Sequence, residues 1–300
     1  MRAVWSLWSK PFAAATSWGW HRPEHHLLAW GLSLRLARRH YPETTLVTDS
    51  AGKALLVDAL GLSFASVSTE LDRLRDADPN LWALGKLVAY SIQDEPFVHL
   101  DTDVFLWRAL PTRLTSAPVL AQHRERWFER DPGGGDPQLI EDAFAHAGLK
   151  LPVEWEWARS RWGKTVFEAN CGIAGGHDVD FIRHYARLAL ELATSPRHAG
   201  AWASLPAKQP LNPTIEQFTL SACLDFHRSH PDSPFKGVHA RYLFPSPQAA
   251  FDPRYAARLG FTHLLGDTKR HARVAQRLEE RVRTEDERFY ARCMELAAAG

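Results

Sequence analysis

Short apolar runs of strand length alternate with longer stretches of helical period along the chain. Arg2–Leu7 (RAVWSL) predicts a first strand. Residues 26–40 place Leu27, Leu28, Leu32, Leu34 and Leu36 on one stripe, with Arg35, Arg38 and Arg39 between them, and Pro42 ends that helix. Thr44–Thr48 (TTLVT) is rich in β-branched residues and closes on Asp49-Ser50, a second strand. A helix over 54–60 stops at Gly61, and 64–67 predicts a short strand. From Pro79-Asn80 a helix runs through Leu81, Leu84, Leu87, Val88 and Ile92. The apolar strand 96–100 (PFVHL) then leads straight into Asp101-Thr102-Asp103. Further on come strands at 119–121, 170–176 and 238–244, helices at 180–193 and 214–227, and one long charged helix over 268–298.

Strands separated by helices predict an α/β protein, a mostly parallel Rossmann-type sheet flanked by helices, in one domain over 1–300. Ligands of such sheets bind at the carboxyl ends of the strands. Residues 123–165 break the rhythm. They are charged, interrupted at Pro132-Gly133-Gly134-Gly135, and hold Trp127, Trp155, Trp157 and Trp162, which predicts an irregular insertion or lid. At least one of Trp155, Trp157 and Trp162 is expected to line the acceptor side of a cleft.

Composition narrows the function. Lys+Arg number 36 and Asp+Glu 35, a formal charge of +1, which excludes a nucleic-acid binder driven by bulk charge. Three cysteines are too few and too scattered for a disulfide framework or a four-cysteine zinc site. The opening MRAVWSLWSKPF has no signal-peptide pattern, and no run reaches the roughly 18 apolar residues of a membrane span, so the expected location is cytoplasmic, with peripheral membrane contact left open. Twelve tryptophans suit core packing, and equally the stacking of indoles on pyranose faces.

Four short motifs carry chemistry. Asp101-x-Asp103 offers two carboxylates to a hard divalent cation. About one D-x-D is expected by chance in such a chain, and three occur, at Asp76/Asp78, Asp101/Asp103 and Asp178/Asp180. Only the middle one ends an apolar strand, where two carboxylates repel unless a cation joins them. His263-x-x-Gly266-x-x-Lys269 is rarer, roughly 0.02 chance matches. Its imidazole can complete a carboxylate site and tilt it toward Mn²⁺. Gly266 lets backbone approach a diphosphate, and Lys269 opens a helix where an anion is favoured. Asn170-Cys171-Gly172 reads equally as a strand cap or as a hydrogen-bond donor to sugar hydroxyls. Glu216-Gln217 opens a helix, where a first-turn acid is ordinary.

In this order the motifs resemble the family 8 glycosyltransferases and their GT-A relatives, over roughly residues 1–270. The resemblance implies a GT-A-like fold, a nucleotide-sugar donor, most often UDP-linked, a divalent metal, Mn²⁺ or Mg²⁺, and retention of anomeric configuration. By position it implies Asp101, Asp103 and His263 as metal ligands, and Lys269 on the diphosphate. It sets Lys86, within Gly85-Lys86-Leu87, against the donor. Asn170, Glu216 and Gln217 fall at the sugar or the reacting face, and Asp49 with the backbone of Trp5 to Trp8 beside the nucleoside. Arg270-His271 stand where the family continues with Pro-Trp, Glu216 where Asp is common, and Cys171 where Ser or Thr is usual. The acceptor, a glycan, peptide, lipid or small molecule, is not encoded in these motifs. The alternatives are a catalytically inactive GT-A-like module that binds a nucleotide sugar or glycan, a nucleotidyltransferase, which would want a Gly-rich loop that residues 8–22 lack, and a metal-dependent hydrolase that would recruit His99.

Overall fold

β4 (Phe97–Leu100), the apolar run before Asp101, is the middle strand of a seven-stranded sheet in the computed structural model, which describes residues 1–14, 19–129 and 135–299. The other strands, in chain order, are β1 (Arg2–Leu7), β2 (Thr44–Thr48), β3 (Ser66–Ser68), β5 (Val104–Leu106), β6 (Val119–Ala121), β7 (Arg124–Phe128), β8 (Thr165–Ala169), β9 (Ile173–Gly176), β10 (Ala240–Tyr242) and β11 (Phe261–His263). The main sheet runs β10-β6-β9-β4-β1-β2-β3. Pairings β4-β1, β1-β2, β2-β3 and β6-β10 are parallel, and β9 lies antiparallel between β4 and β6. This is the α/β, mostly parallel sheet that the hydrophobic pattern predicts.

Both faces of the sheet are covered, which is why its inner strands read as continuous apolar runs. On one face Val4, Val47 and Phe97 join a core with the helices Ala83–Ser91 and Val179–Thr194. On the other, Ala3, Trp5, Leu46, Val98 and Leu100 meet the helix Pro23–Arg38 and the C-terminal helices. β9 is squeezed tightly. At Gly175 and Gly176, with φ of 147° and 140°, a Cβ would lie 2.1 Å from the carbonyls of Phe97 and Pro118. Only glycine fits this crowded path between two strands.

Three expectations change. The stretch 123–165 is not irregular where it is described. β7 and β8 form an antiparallel ladder, and between them stand the helices Pro137–His146 and Val153–Trp162. Pro132, Gly133 and Gly134 lie outside the described residues. The long C-terminal helix is two, Ala272–Glu285 and Glu287–Ala299, because Asp286 leaves the helical region (φ −161°) and its carboxylate caps the N–H of Phe289. The strand expected over 170–176 is only β9, and Asn170-Cys171-Gly172 is the connection into it. Smaller shifts follow from local chemistry: Ser50–Lys53 and the π turn Ala54–Ala59 replace the helix at 54–60, and the π turn Thr214–Phe218 precedes the helix Thr219–Ser229. No helix among the described residues is long and apolar enough to cross a membrane.

Candidate active site

β4 delivers Asp101 at its carboxyl end, beside the end of β1. The N–H of Asp101 bonds the carbonyl of Gly172 (3.0 Å), and the N–H of Val104 bonds that of Asp101 (3.0 Å), closing a tight turn that projects both carboxylates. β5 then pairs antiparallel with β11, which sets His263 opposite Val104, and Leu264 N–H bonds the Asp103 carbonyl at 3.1 Å. This two-stranded ribbon brings residues distant in sequence together. It is separate from the main sheet. The donor atoms of Asp101, Asp103 and His263 all lie within 4.8 Å of one another.

His263 has a fixed orientation. Its Nδ1 sits 2.7 Å from Oε1 of Gln122, an oxygen that can only accept, so Nδ1 carries the proton. Nε2 faces Asp103 Oδ1 at 3.3 Å. Gln122 is placed by backbone pairing with Asn170 (2.9 Å), and Gly172 keeps the space open. A Cβ on Gly172 would fall 2.4 Å from Gln122 Oε1 and from the ring of His263.

Two lysines meet the carboxylates. Lys86 Nζ lies 2.9 Å from Asp101 Oδ1, 2.9 Å from Glu216 Oε1 and 3.1 Å from the carbonyl of Cys171. Lys269 Nζ lies 2.5 Å from Asp103 Oδ2, over the ring of Trp20. Burial works against the charge of Lys86, yet Asp101 and Glu216 outweigh it and raise its pKa. Burial raises the carboxyl of Asp101 despite Lys86, with Asp103 adding to the rise. Asp103 is buried too, but Lys269 and then His263 hold it well below the usual carboxylate range. Asp101 keeps 27% of its side chain exposed and Asp103 7%, so the pair faces outward through Asp101.

A cavity of about 680 Å³ opens over these groups. Asp101, Asp103, Lys86 and Lys269 form its charged floor, and Trp8, Trp20, Trp30 and Trp82 its apolar sides. His26 lines it as well, where burial first and Lys269 second lower its pKa to about 3, so it is neutral.

Other expected residues stand further off. Asp49 caps the helix Ser50–Lys53 and takes bonds from the N–H (2.9 Å) and hydroxyl (2.7 Å) of Ser9. Asn170 donates to Glu125 (3.0 Å) and accepts from Gly172 N–H (3.1 Å), as a turn cap. Glu216 is fully buried, pairs with Lys86 and accepts from Tyr90 hydroxyl at 2.9 Å, so it is no exposed first-turn acid. Gln217 is half-buried on the same π turn. Gly266 takes a left-handed φ of 54° with open space where a Cβ would stand. Asp49, Asn170, Glu216, Gln217 and Gly266 do not line the cavity, and neither do Trp155, Trp157 and Trp162. Trp155 is buried edge-on against Phe218, while Trp157 and Trp162, half-buried, pack edge-on against Phe226 and against Phe167 and Phe218. His99, the residue a hydrolase would need, is buried with Nε2 2.9 Å from the Ser6 hydroxyl, and burial holds it neutral.

The sequence pattern did not mark Gln122, Trp20, Trp82 and His26, and it named Gly172 only within Asn170-Cys171-Gly172. Their roles depend on which distant segments meet, and no local pattern marks that.

The chain belongs to the family of unknown function DUF6734, which it matches over residues 1–296. No curated protein matches it. Among solved structures it is similar to the galactosyltransferase LgtC in complex with donor and acceptor sugar analogs (14% identity, 95% of this chain and 96% of that one, TM-score 0.41). An active-site mutant of LgtC gives 15% identity, 93% and 94% coverage and a TM-score of 0.43. Mouse xyloside xylosyltransferase 1, in its apo form, gives 11%, 80% and 84%, and 0.36.

Proposed function

We propose that this chain is a metal-dependent glycosyltransferase that moves a sugar from a nucleotide-sugar donor, UDP-linked, to an acceptor with retention of configuration. One observation carries the reading: Asp101, Asp103 and His263 bring three donor atoms within 4.8 Å of one another beside a cavity of about 680 Å³. The order of the sequence motifs supports it.

The donor set fits a divalent cation. Two carboxylates at a strand end and an imidazole whose Nδ1 is held by Gln122 and whose Nε2 faces Asp103 suit Mn²⁺ or Mg²⁺, the imidazole favouring Mn²⁺. When bound, such an ion neutralises the charge that develops on a departing nucleoside diphosphate.

The chain's own groups do the rest. Lys269 exchanges its Asp103 contact for a phosphate oxygen, a charge-assisted bond. Lys86 stays between Asp101 and Glu216 and holds the Asp101 carboxylate toward the cavity. Glu216, fully buried beneath Lys86, has no open path to an anomeric carbon and acts as a positioning residue. Asn170 positions Gln122, and through it His263. Trp8, Trp20 and Trp82 offer flat apolar faces to a base or a sugar.

A thermal-shift panel tests the proposal. UDP with Mn²⁺ should raise the melting temperature well beyond either alone, and Asp103→Asn should lose that joint shift while keeping its own transition. Equal shifts from all nucleotides, or a UDP shift indifferent to the cation, would overturn it.

A further inference from the structure

A second group of metal-ligating side chains lies away from the cavity, where three helices meet. Glu154 comes from Val153–Trp162, His184 from Val179–Thr194, and Cys223 and His227 from Thr219–Ser229, one turn apart on a single helix face. The donor atoms of Glu154, His184 and Cys223 all lie within 4.8 Å of one another. His184 Nε2 is 3.0 Å from Glu154 Oε1, and His227 Nε2 is 3.0 Å from His184 Nε2 and 3.4 Å from the same carboxylate oxygen.

Two imidazole nitrogens and one carboxylate oxygen converge here. His227 Nδ1 is 2.6 Å from the Ser233 hydroxyl, whose oxygen also accepts the N–H of Phe235 at 3.0 Å. The Ser233 hydroxyl holds the outer nitrogen of the His227 ring and turns its Nε2 toward the Nε2 of His184. Two imidazole nitrogens and a carboxylate facing inward, with a hydroxyl holding the outer nitrogen of one ring, is the arrangement of ligands and their supports around a metal.

We propose that Glu154, His184 and Cys223 hold a structural zinc ion, and that His227, beside His184 and Glu154 but outside that group of three, moves in to close the fourth position. Nitrogen and sulfur donors with a single carboxylate select Zn²⁺ over the hard cations suited to Asp101 and Asp103. Four protein ligands leave no open position, so the ion carries no substrate chemistry. Its role is to tie the helix Val153–Trp162, which belongs to the excursion between β7 and β8, to the helices Val179–Thr194 and Thr219–Ser229. His184 keeps 34% of its side chain exposed, and Glu154 lines a cavity of about 440 Å³, so an ion has a way in.

Cobalt reports this site because, of the two groups, only this one contains a cysteine, which binds a metal as the thiolate. The full-length protein is loaded with Co²⁺ after chelation and read by absorption, in the wild type and in the Asp103→Asn/His263→Ala variant. Both should take up about one tightly held Co²⁺ with tetrahedral visible bands and a near-ultraviolet thiolate charge-transfer band, displaced by one equivalent of Zn²⁺. Cys223→Ser should lose the charge-transfer band, and His227→Gln should weaken zinc affinity at least about tenfold. Zn²⁺ should raise the melting temperature of the Asp103→Asn/His263→Ala variant. Absence of a thiolate band in the wild type overturns the proposal without any substitution at the site, and so does its persistence in Cys223→Ser.

Discussion

Gln122 accepts the Nδ1 proton of His263 at 2.7 Å, and Gly172 leaves the space in which they meet. The amide thereby decides which nitrogen faces Asp101 and Asp103. Gln122→Met keeps length and removes the acceptor, so Mn²⁺ affinity should fall about 10–100-fold with the fold retained. Gly172→Ala should do the same by displacing the ring. Free Mn²⁺ measured by electron paramagnetic resonance checks both, and wild-type affinity in the two variants would refute the role of the pair.

Lys269 competes with a cation for Asp103 in the free protein and serves a phosphate in the complex. Lys269→Met should therefore raise affinity for Mn²⁺ alone and lower affinity for UDP in the presence of Mn²⁺. Titration calorimetry separates the two. A fall in both, or a rise in both, contradicts the exchange.

Lys86 and Glu216 form a buried pair. Removing one partner leaves a buried charge, so Lys86→Met should cost about 3–5 kcal/mol of stability. Lys86→Met/Glu216→Gln should recover part of that loss, because the uncompensated carboxylate is gone. Urea unfolding of the single and double variants measures it, and additive losses would show that the pair is not coupled.

Glu168 lies opposite Glu125 across the β7–β8 ladder. Burial first, and Glu125 second, push its carboxyl up to about 8 from an ordinary 4.5, against a bond from the Gly135 amide. Between those values the folded chain holds a proton that the unfolded chain releases. Its contribution to stability therefore falls as pH rises through that window, by at most about 1.4 kcal/mol per pH unit, and levels off above it. Glu168→Gln should flatten that part of the profile. Parallel wild-type and variant curves in urea unfolding would place the proton elsewhere.

What was legible in the sequence followed from local pattern. Arg2–Leu7, Thr44–Thr48 and Val119–Ala121 are strands with the expected bounds because their apolar content is continuous and their ends are marked by polar or turn residues. Asp101, Asp103 and His263 could be singled out because a strand end and a rare spacing surround them. The helix Val153–Trp162 was not legible, since its tryptophans and charges are spread around the axis and only the packing of Trp155 on Phe218 reveals an inner face. Glu216 resembles a helix-opening acid in sequence, and its burial depends on Lys86 and Tyr90 arriving from another helix. Gln122 and Gly172 are ordinary residues until β11 folds back on β5 and carries His263 against them.

The most direct measurement is a crystal structure with Mn²⁺ and UDP, with anomalous scattering recorded at the manganese edge. The account predicts one strong peak within about 2.0–2.6 Å of Asp101, Asp103 and His263 Nε2. It also predicts Lys269 turned from Asp103 onto a diphosphate oxygen. A manganese peak away from those three residues, or UDP bound in the cavity with Lys269 still on Asp103 and no peak, would contradict it.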